Sequence, residues 1–325
     1  MRRLGLAAVA ALVLAAPALP GEAAPLAYVS NEWAGTVTLL DTASDKVVGS
    51  FPAGGRPRGI QVSPDGRRVY VAVSDPSPIA RSAVDAIVAF DPKARRVVAR
   101  YEAGTDPEAF AVSRDGKKLY ISNEDAGTAS ITRVDRGQVT ASLAVGIEPE
   151  GVAISPDGRW VYVTAETSST VSVIDTRTSQ VVASFLVDLR PRAVAFSPDG
   201  KRAYVTSEIG GTIAVVDVNG HRVIDTLPLP RSKPVGVVVS PDGRRIYVAN
   251  GHGNTVSVVD TAKKKVLATI PVGKRPWGIA ITPDGHKVYT ANGLSGDVSV
   301  IDTAKNRVTA TLKTGAGAWG IAIRR

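Results

Sequence analysis

The chain has 325 residues, 39 lysines and arginines against 30 aspartates and glutamates, no cysteine, and a formal net charge of +9. The lack of cysteine excludes disulfides, a thiolate nucleophile, Cys-ligated zinc and C-x-x-C-H haem attachment; Met1 is the only methionine, so processing leaves no thioether ligand either. Basic residues are spread through the whole sequence, which predicts a diffusely basic surface and no nucleic-acid site.

The N-terminal stretch "MRRLGLAAVAALVLAAPALPGEAAP" carries two arginines, an apolar run from Leu4 to Ala16 and then small residues. That is the three-part pattern of a secretory signal peptide, with cleavage expected near Ala23. The run is shorter than the ~20 residues of a membrane span. A lipobox would need a cysteine, and Arg2-Arg3 lacks the surroundings of a twin-arginine signal. Residues 1–23 are therefore expected to direct export. Residues 24–325 would form a periplasmic or secreted protein with no membrane span and 37 basic against 29 acidic residues.

Past the leader the chain repeats itself. "SPDG" or a close variant stands at 63–66, 113–116, 155–158, 197–200, 240–243 and 282–285, each followed by a run such as "RRVYVAV" or "RWVYVTA". An aspartate closes the next run at 41, 91, 135, 175, 217, 260 and 302, in steps of 50, 44, 40, 42, 43 and 42 residues. One period resolves into four strands: "GVAIS" (151–155), "WVYVT" (160–164), "TVSVID" (170–175) and "QVVASFL" (180–186). Pro, Asp and Gly make the first turn, and β-branched alternation makes the strands. A four-stranded repeat of ~40–45 residues is a propeller blade. The mature chain starts on a second strand, "LAYVSN", and ends on a first strand, "WGIAIRR". The prediction is an all-β, single seven-bladed propeller of four-stranded antiparallel blades. Its C-terminal strand pairs into the N-terminal blade and removes the open edge.

The 50-residue step contains "SDPSPIARSAVDA" (74–86), about eight residues longer than its counterparts. Pro76 and Pro78 argue against a regular strand. The insertion is expected to lean over the channel mouth beside Arg58 and Glu108.

The second strands "YVSN" (28–31), "YVTA" (162–165), "YVTS" (204–207), "YVAN" (247–250) and "YTAN" (289–292) resemble the YVTN β-propeller repeat over the whole mature chain. Longer stretches, among them "DPEAFAVSRDGKKLYISNEDAG" and "LVDLRPRAVAFSPDGKRAYVTSEIGGTIAVVD", are similar to the periplasmic propeller associated with PQQ-dependent alcohol catabolism. The resemblance implies an accessory protein accompanying a quinoprotein dehydrogenase, its cytochrome or a transport component. The long insertion departs from that pattern.

The loops before the first strands are where the copies differ. In ring order they read Arg56-Pro57-Arg58, Asp106-Pro107-Glu108, Glu148-Pro149-Glu150, Arg190-Pro191-Arg192, Lys233-Pro234-Val235, Arg275-Pro276-Trp277 and Gly317-Ala318-Trp319. The loops after the second strands, on the same face, add Glu32, Trp33, Glu124, Asp125, Glu166, Glu208 and His252. A scaffold that repeats while one rim diversifies suits a rim that reads a ligand or partner. Ion pairing across the mouth would account for the same charges without any ligand. Trp277 and Trp319 are expected to pack between blades, and His252 to be a loop residue. No Ser-His-Asp order or phosphate loop is present.

Three functions follow: a non-catalytic binding or assembly module for PQQ-linked alcohol oxidation; a propeller lactonase or lyase, with a charged site or a Ca2+ held by rim carboxylates and His252; and direct binding of PQQ or another polycarboxylate by Arg56, Arg58, Arg190 and Arg192. No residue is singled out as catalytic, and no metal ligand set is assigned.

Overall fold

The computed structural model describes residues 26–75 and 85–324; the expected leader and most of the insertion, including Pro76 and Pro78, lie outside them. Every regular element among the described residues is a strand, and the strands form seven four-stranded antiparallel sheets. Six sheets are consecutive in sequence. The seventh joins Ala318–Ile323 to Leu26–Asn31, Thr36–Asp41 and Lys46–Pro52, so the two ends of the chain close the ring as the sequence predicts.

The representative blade runs Pro149–Ile154, Trp160–Ala165, Thr170–Asp175 and Gln180–Leu186. Its second strand is an unbroken apolar alternation because both faces pack against neighbouring blades. Tyr28, Tyr70, Tyr120, Tyr162, Tyr204, Tyr247 and Tyr289 occupy one equivalent position in seven blades, all at most 5% exposed. Between each pair of blades lies a mixed cluster; one joins Tyr120, Ala129 and Ile131 to Val152, Val161, Val163 and Ile174. Each buried aliphatic side chain there contributes about 2 kcal/mol of transfer free energy.

One repeat marker needs correction. Asp135 is not the last residue of its strand: the strand is Thr128–Arg133, and Arg133 pairs with Gln138 where the other blades have an aspartate. Counting from Arg133, the neighbouring steps of 44 and 40 become equal at 42. Asp135 has moved two residues into the turn, where its carboxylate meets the Arg133 guanidinium at 2.6 Å.

The turn end of the ring is uniform. In each "SPDG" turn the serine hydroxyl donates to the aspartate, as from Ser240 to Asp242 at 2.6 Å, and the same oxygen accepts the backbone N–H two residues on, from Arg244 at 3.0 Å. The turns between third and fourth strands lie beside them. Thr176, Thr261 and Thr303 each donate a hydroxyl to the glycine carbonyl of their own blade's "PDG" turn.

Candidate functional site

Every innermost strand carries a β-bulge at the two residues after its N-terminal proline, or after Ala318 in the last strand. Pro149 pairs with Ala165 but Val152 with Val163, and the other six blades repeat the shift. A bulge re-aims one side chain. Here it presents Arg58, Glu108, Glu150, Arg192, Val235, Trp277 and Trp319 as a ring around the channel mouth, each followed by glycine or alanine. The small residue is demanded by the next blade: a Cβ on Gly151 would lie 2.3 Å from the Arg192 carbonyl oxygen. Hydroxyls from second strands clasp the bulges of the following blade. Ser122 donates to the Glu150 carbonyl at 2.6 Å and Thr164 to that of Arg192 at 3.0 Å.

The residue before five of the six ring prolines is held in the left-handed region: Asp106, Glu148, Arg190, Lys233 and Arg275 have φ between 50° and 61°. Side chains avoid this region, and it stores strain of order 1–3 kcal/mol per residue. What holds it is a repeated backbone bond. The Asp106, Glu148 and Arg190 carbonyls accept the N–H groups of Glu124, Glu166 and Glu208. Rim charge and ring charge are thereby locked in register.

Two ion-pair clusters result. Arg58, almost fully buried, contacts Glu108 and lies 3.2 Å from Asp106, 3.3 Å from Glu124 and 3.4 Å from Glu32, which also pairs with Arg56 at 2.6 Å. Arg192 contacts Glu150 and lies 2.8 Å from Glu166 and 2.7 Å from Glu208. Arg190 meets Glu166 at 2.7 Å, and Arg275 meets Glu208 at 3.2 Å. Burial pushes the Glu150 carboxyl up to about 7 against the pull of Arg192, with Glu166 and Glu124 adding to the rise. Burial likewise lifts Glu124 to about 7, opposed by Arg58 and assisted by Asp106. Glu208 goes the other way: burial raises it, but Arg192, Arg275 and Arg190 together hold it below the usual range.

Under this ring lies a cavity of about 170 Å³ lined by Glu150, Arg192, Val235, Trp277 and Trp319 and by the bulge glycines. Both tryptophans face it, where interblade packing was expected. Their centroids are 5.9 Å apart, and the guanidiniums of Arg192 and Arg275 lie 5.1 and 4.7 Å from the Trp277 ring. Such stacking keeps cations on an aromatic face.

The remaining predicted residues divide. Glu148 turns away from both clusters to Thr167. His252 is largely exposed, its Nε2 3.9 Å from Glu208. Trp33 and Asp125 are also exposed. Oxygens of Asp106, Glu108 and Glu124 converge within 4.8 Å of one another, yet Arg58 pairs with all three and already supplies the cation. The expected lean of the insertion falls on residues outside the described ones. Its neck is visible: the Asp85 carboxylate accepts the N–H groups of Asp75 and Asp106, pinning the loop's base beside Arg58. Asp85, the last carboxylate of the insertion, reads in the sequence only as a residue that keeps the loop wettable and is not among the candidate site residues. Equally unforeseen was an exposed apolar group on adjacent rim loops, Ile147, Leu186, Leu189 and Ile209.

A seven-bladed propeller with a strained, charge-lined mouth over a small aromatic cavity is the class these features define. The chain belongs to the family described as lactonase, 7-bladed beta-propeller, whose model matches residues 22–145, 101–185 and 188–315. No curated protein matches it. Among solved structures it is similar to hydrazine synthase of Kuenenia stuttgartiensis, at 24% identity and TM-score 0.72 over 82% of this chain and 89% of that one. A functionally unknown protein of Desulfotomaculum acetoxidans DSM 771 superposes with TM-score 0.76 at 17% identity, covering 92% and 98%. A Bacteroides uniformis ATCC 8492 protein described as a "putative 6-phosphogluconolactonase" gives 0.76 at 17%, covering 93% and 100%. These three likenesses establish the fold.

Proposed function

We propose that the protein opens lactones by hydrolysis at the channel mouth, with Glu150 as the proton-transferring group and Arg192 beside it. The observation that carries this reading is a buried carboxyl lifted to about 7 on the wall of a cavity of about 170 Å³, in a chain of the lactonase family. A group that titrates near the working pH is suited to both taking and returning a proton. In the proposed reaction, ionised Glu150 removes a proton from water as its oxygen attacks the lactone carbonyl. The ring C–O bond breaks, and Glu150 returns the proton to the departing alkoxide, leaving a hydroxy acid. As Glu150 takes up that proton it loses its own charge, and the Arg192 guanidinium beside it is released to stabilise the negative charge on the carbonyl oxygen. Trp277 and Trp319 offer faces for the ring of the substrate. Secretion through the leader, with residues 24–325 as the mature periplasmic protein, is part of the proposal.

The test is proton release at constant pH on a panel of γ- and δ-lactones of sugar acids. The wild type is expected to open at least one, and Glu150→Gln to lower kcat on the order of 10²–10⁴-fold while the thermal unfolding remains cooperative. If no lactone opens above the buffer rate, the hydrolytic reading fails.

One observation favours a second reading. Ile147, Leu186, Leu189 and Ile209 form an exposed apolar group on neighbouring loops of the site face, and such groups mark protein contacts. It supports the YVTN-type accessory role, in which the mouth seats a quinoprotein dehydrogenase, its cytochrome or a transport component. Pull-down from an induced periplasm, lost in Leu189→Asp/Ile209→Asp, is the measurement. Direct PQQ binding has less support, because Arg56, Arg58, Arg190 and Arg192 are each already matched to carboxylates.

A further inference from the structure

The face opposite the mouth is built from thirteen turns, six joining first to second strands and seven joining third to fourth. Counted with the strand residue on either side of each turn, they hold 24 lysines and arginines and 14 carboxylates, a surplus of ten positive charges. Counted the same way, the described residues of the mouth-face loops run the other way, with twelve carboxylates against seven basic residues. The basic residues that look evenly spread in sequence are thus sorted in space, because each repeat delivers its cations to the same two turns.

The two kinds of charge on the turn face also differ in reach. All 14 carboxylates are aspartates, and most are folded back onto their own turns. Asp65 accepts from Ser63 and from the Arg67 N–H, and Asp260 from the N–H groups of Ala262 and Lys263. Lys46, Arg67, Lys93, Arg96, Lys263 and Lys265 are exposed on longer stems. An approaching surface therefore meets a layer of cations standing above the anions. At the perimeter, five fourth strands carry exposed aliphatic residues at their second or third positions: Val47 and Val48, Val97, Val181 and Val182, Ile224, and Val266 and Leu267.

We propose that this face docks on an anionic lipid bilayer. Cations repeated blade by blade around a ring, with aliphatic side chains at their edge, suit a fluid sheet of anionic headgroups over hydrocarbon. A nucleic acid would be served by a groove or stripe of cations with aromatic residues for the bases. A folded acidic partner would need a shaped apolar anchor at the centre of the contact. Docked this way, the protein holds its mouth toward solution, with the site face free for substrate.

The test uses the mature protein and large unilamellar vesicles, phosphatidylglycerol mixed with phosphatidylcholine against phosphatidylcholine alone, read by co-sedimentation. Binding is expected only to the anionic vesicles, weakening as salt shortens the screening length. Lys93→Glu/Arg96→Glu/Lys263→Glu/Lys265→Glu should lower the partition coefficient by at least about tenfold. Val266→Ser/Leu267→Ser should weaken binding and leave its salt dependence in place. Lys274→Glu on the mouth face should bind as the wild type does. Absence of binding to anionic vesicles, an unchanged coefficient in the fourfold reversal, or an equal loss in Lys274→Glu overturns the proposal. So does duplex DNA binding as tight as vesicle binding combined with no effect of the serine substitutions, which would make the face a general polyanion binder.

Discussion

The two ends of this propeller are made from the same repeat and obey opposite rules. At the turn end, Ser-Pro-Asp-Gly and its variants recur with one hydrogen-bonding scheme, so each of these turns is closed by bonds within its own blade. At the mouth, neighbouring blades depend on one another: Glu150, Glu166 and Glu208 come from two blades and share the Arg192 guanidinium. Repetition therefore lowers the consequence of any single change at the turn end and raises it at the mouth. The contrast can be broken by substitution, and the effects should fall steeply from one end to the other.

The largest effect belongs to Arg192→Ala. Its removal leaves three carboxylates buried without their common cation, and breaking a buried pair from one side costs about 3–5 kcal/mol. Urea unfolding should show that loss, and Arg192→Ala/Glu150→Gln should recover part of it by removing one stranded charge. A loss below 1 kcal/mol would mean the mouth is wet enough to be as independent as the turns.

Next comes a pH dependence in which Glu150 and Glu124 of the mouth oppose the turn aspartates, with Glu208 on the side of the aspartates. Glu150 and Glu124 have folded values near 7, above their ordinary 4.5. Their contribution is complete below about pH 4.5 and disappears as pH rises through about 7. Asp65, Asp115, Asp199 and Asp242 are held below their ordinary 3.8, chiefly by the serine hydroxyl of each turn. Their contribution is present above that value and is lost as pH falls further. Stability should therefore peak near pH 4–5 and decline toward neutrality, by up to about 1.4 kcal/mol per pH unit for each proton released. Thermal unfolding across pH 4–8 measures it. Glu150→Gln should flatten the decline on the neutral side and leave the acid side unchanged.

How much of this was readable beforehand follows from the same contrast. The blade count, the ring closure and the strand positions were legible because every blade must bury one tyrosine and make the same turn. Only the Asp135 marker misled, since Arg133 had taken its place in the register. The ring Arg58, Glu108, Glu150, Arg192, Trp277 and Trp319 was also legible, as each stands before a glycine or alanine that marks a bulge. Pairing was not, because it depends on distances between blades. The following glycine marks Glu150 as the inward residue and Glu148 as the outward one, but nothing local names their partners, Arg192 and Thr167. The inward tryptophans were misjudged for a related reason. A propeller needs large apolar residues between blades, but here the tyrosines fill that role and free Trp277 and Trp319 for the channel. Sorting of charge between faces escaped notice because a linear reading averages over both ends of every repeat.

The smallest effect tests the independence of the turns. Asp157 and Asp242 occupy the same position in different blades, each accepting a serine hydroxyl and a backbone N–H. Replacing either by alanine removes those bonds at an exposed site, where water takes over the freed donors. The expected loss is about 1 kcal/mol for each, equal within error, and additive in the double variant because the two turns share no partner. Lactone opening should be unaffected, since the substitutions lie at the far end of the channel. Unequal losses, or a double variant that departs from the sum by more than about 0.5 kcal/mol, would show that the turn end is coupled around the ring as the mouth is. The difference between the ends would then be one of chemistry alone, with the same long-range dependence running through both.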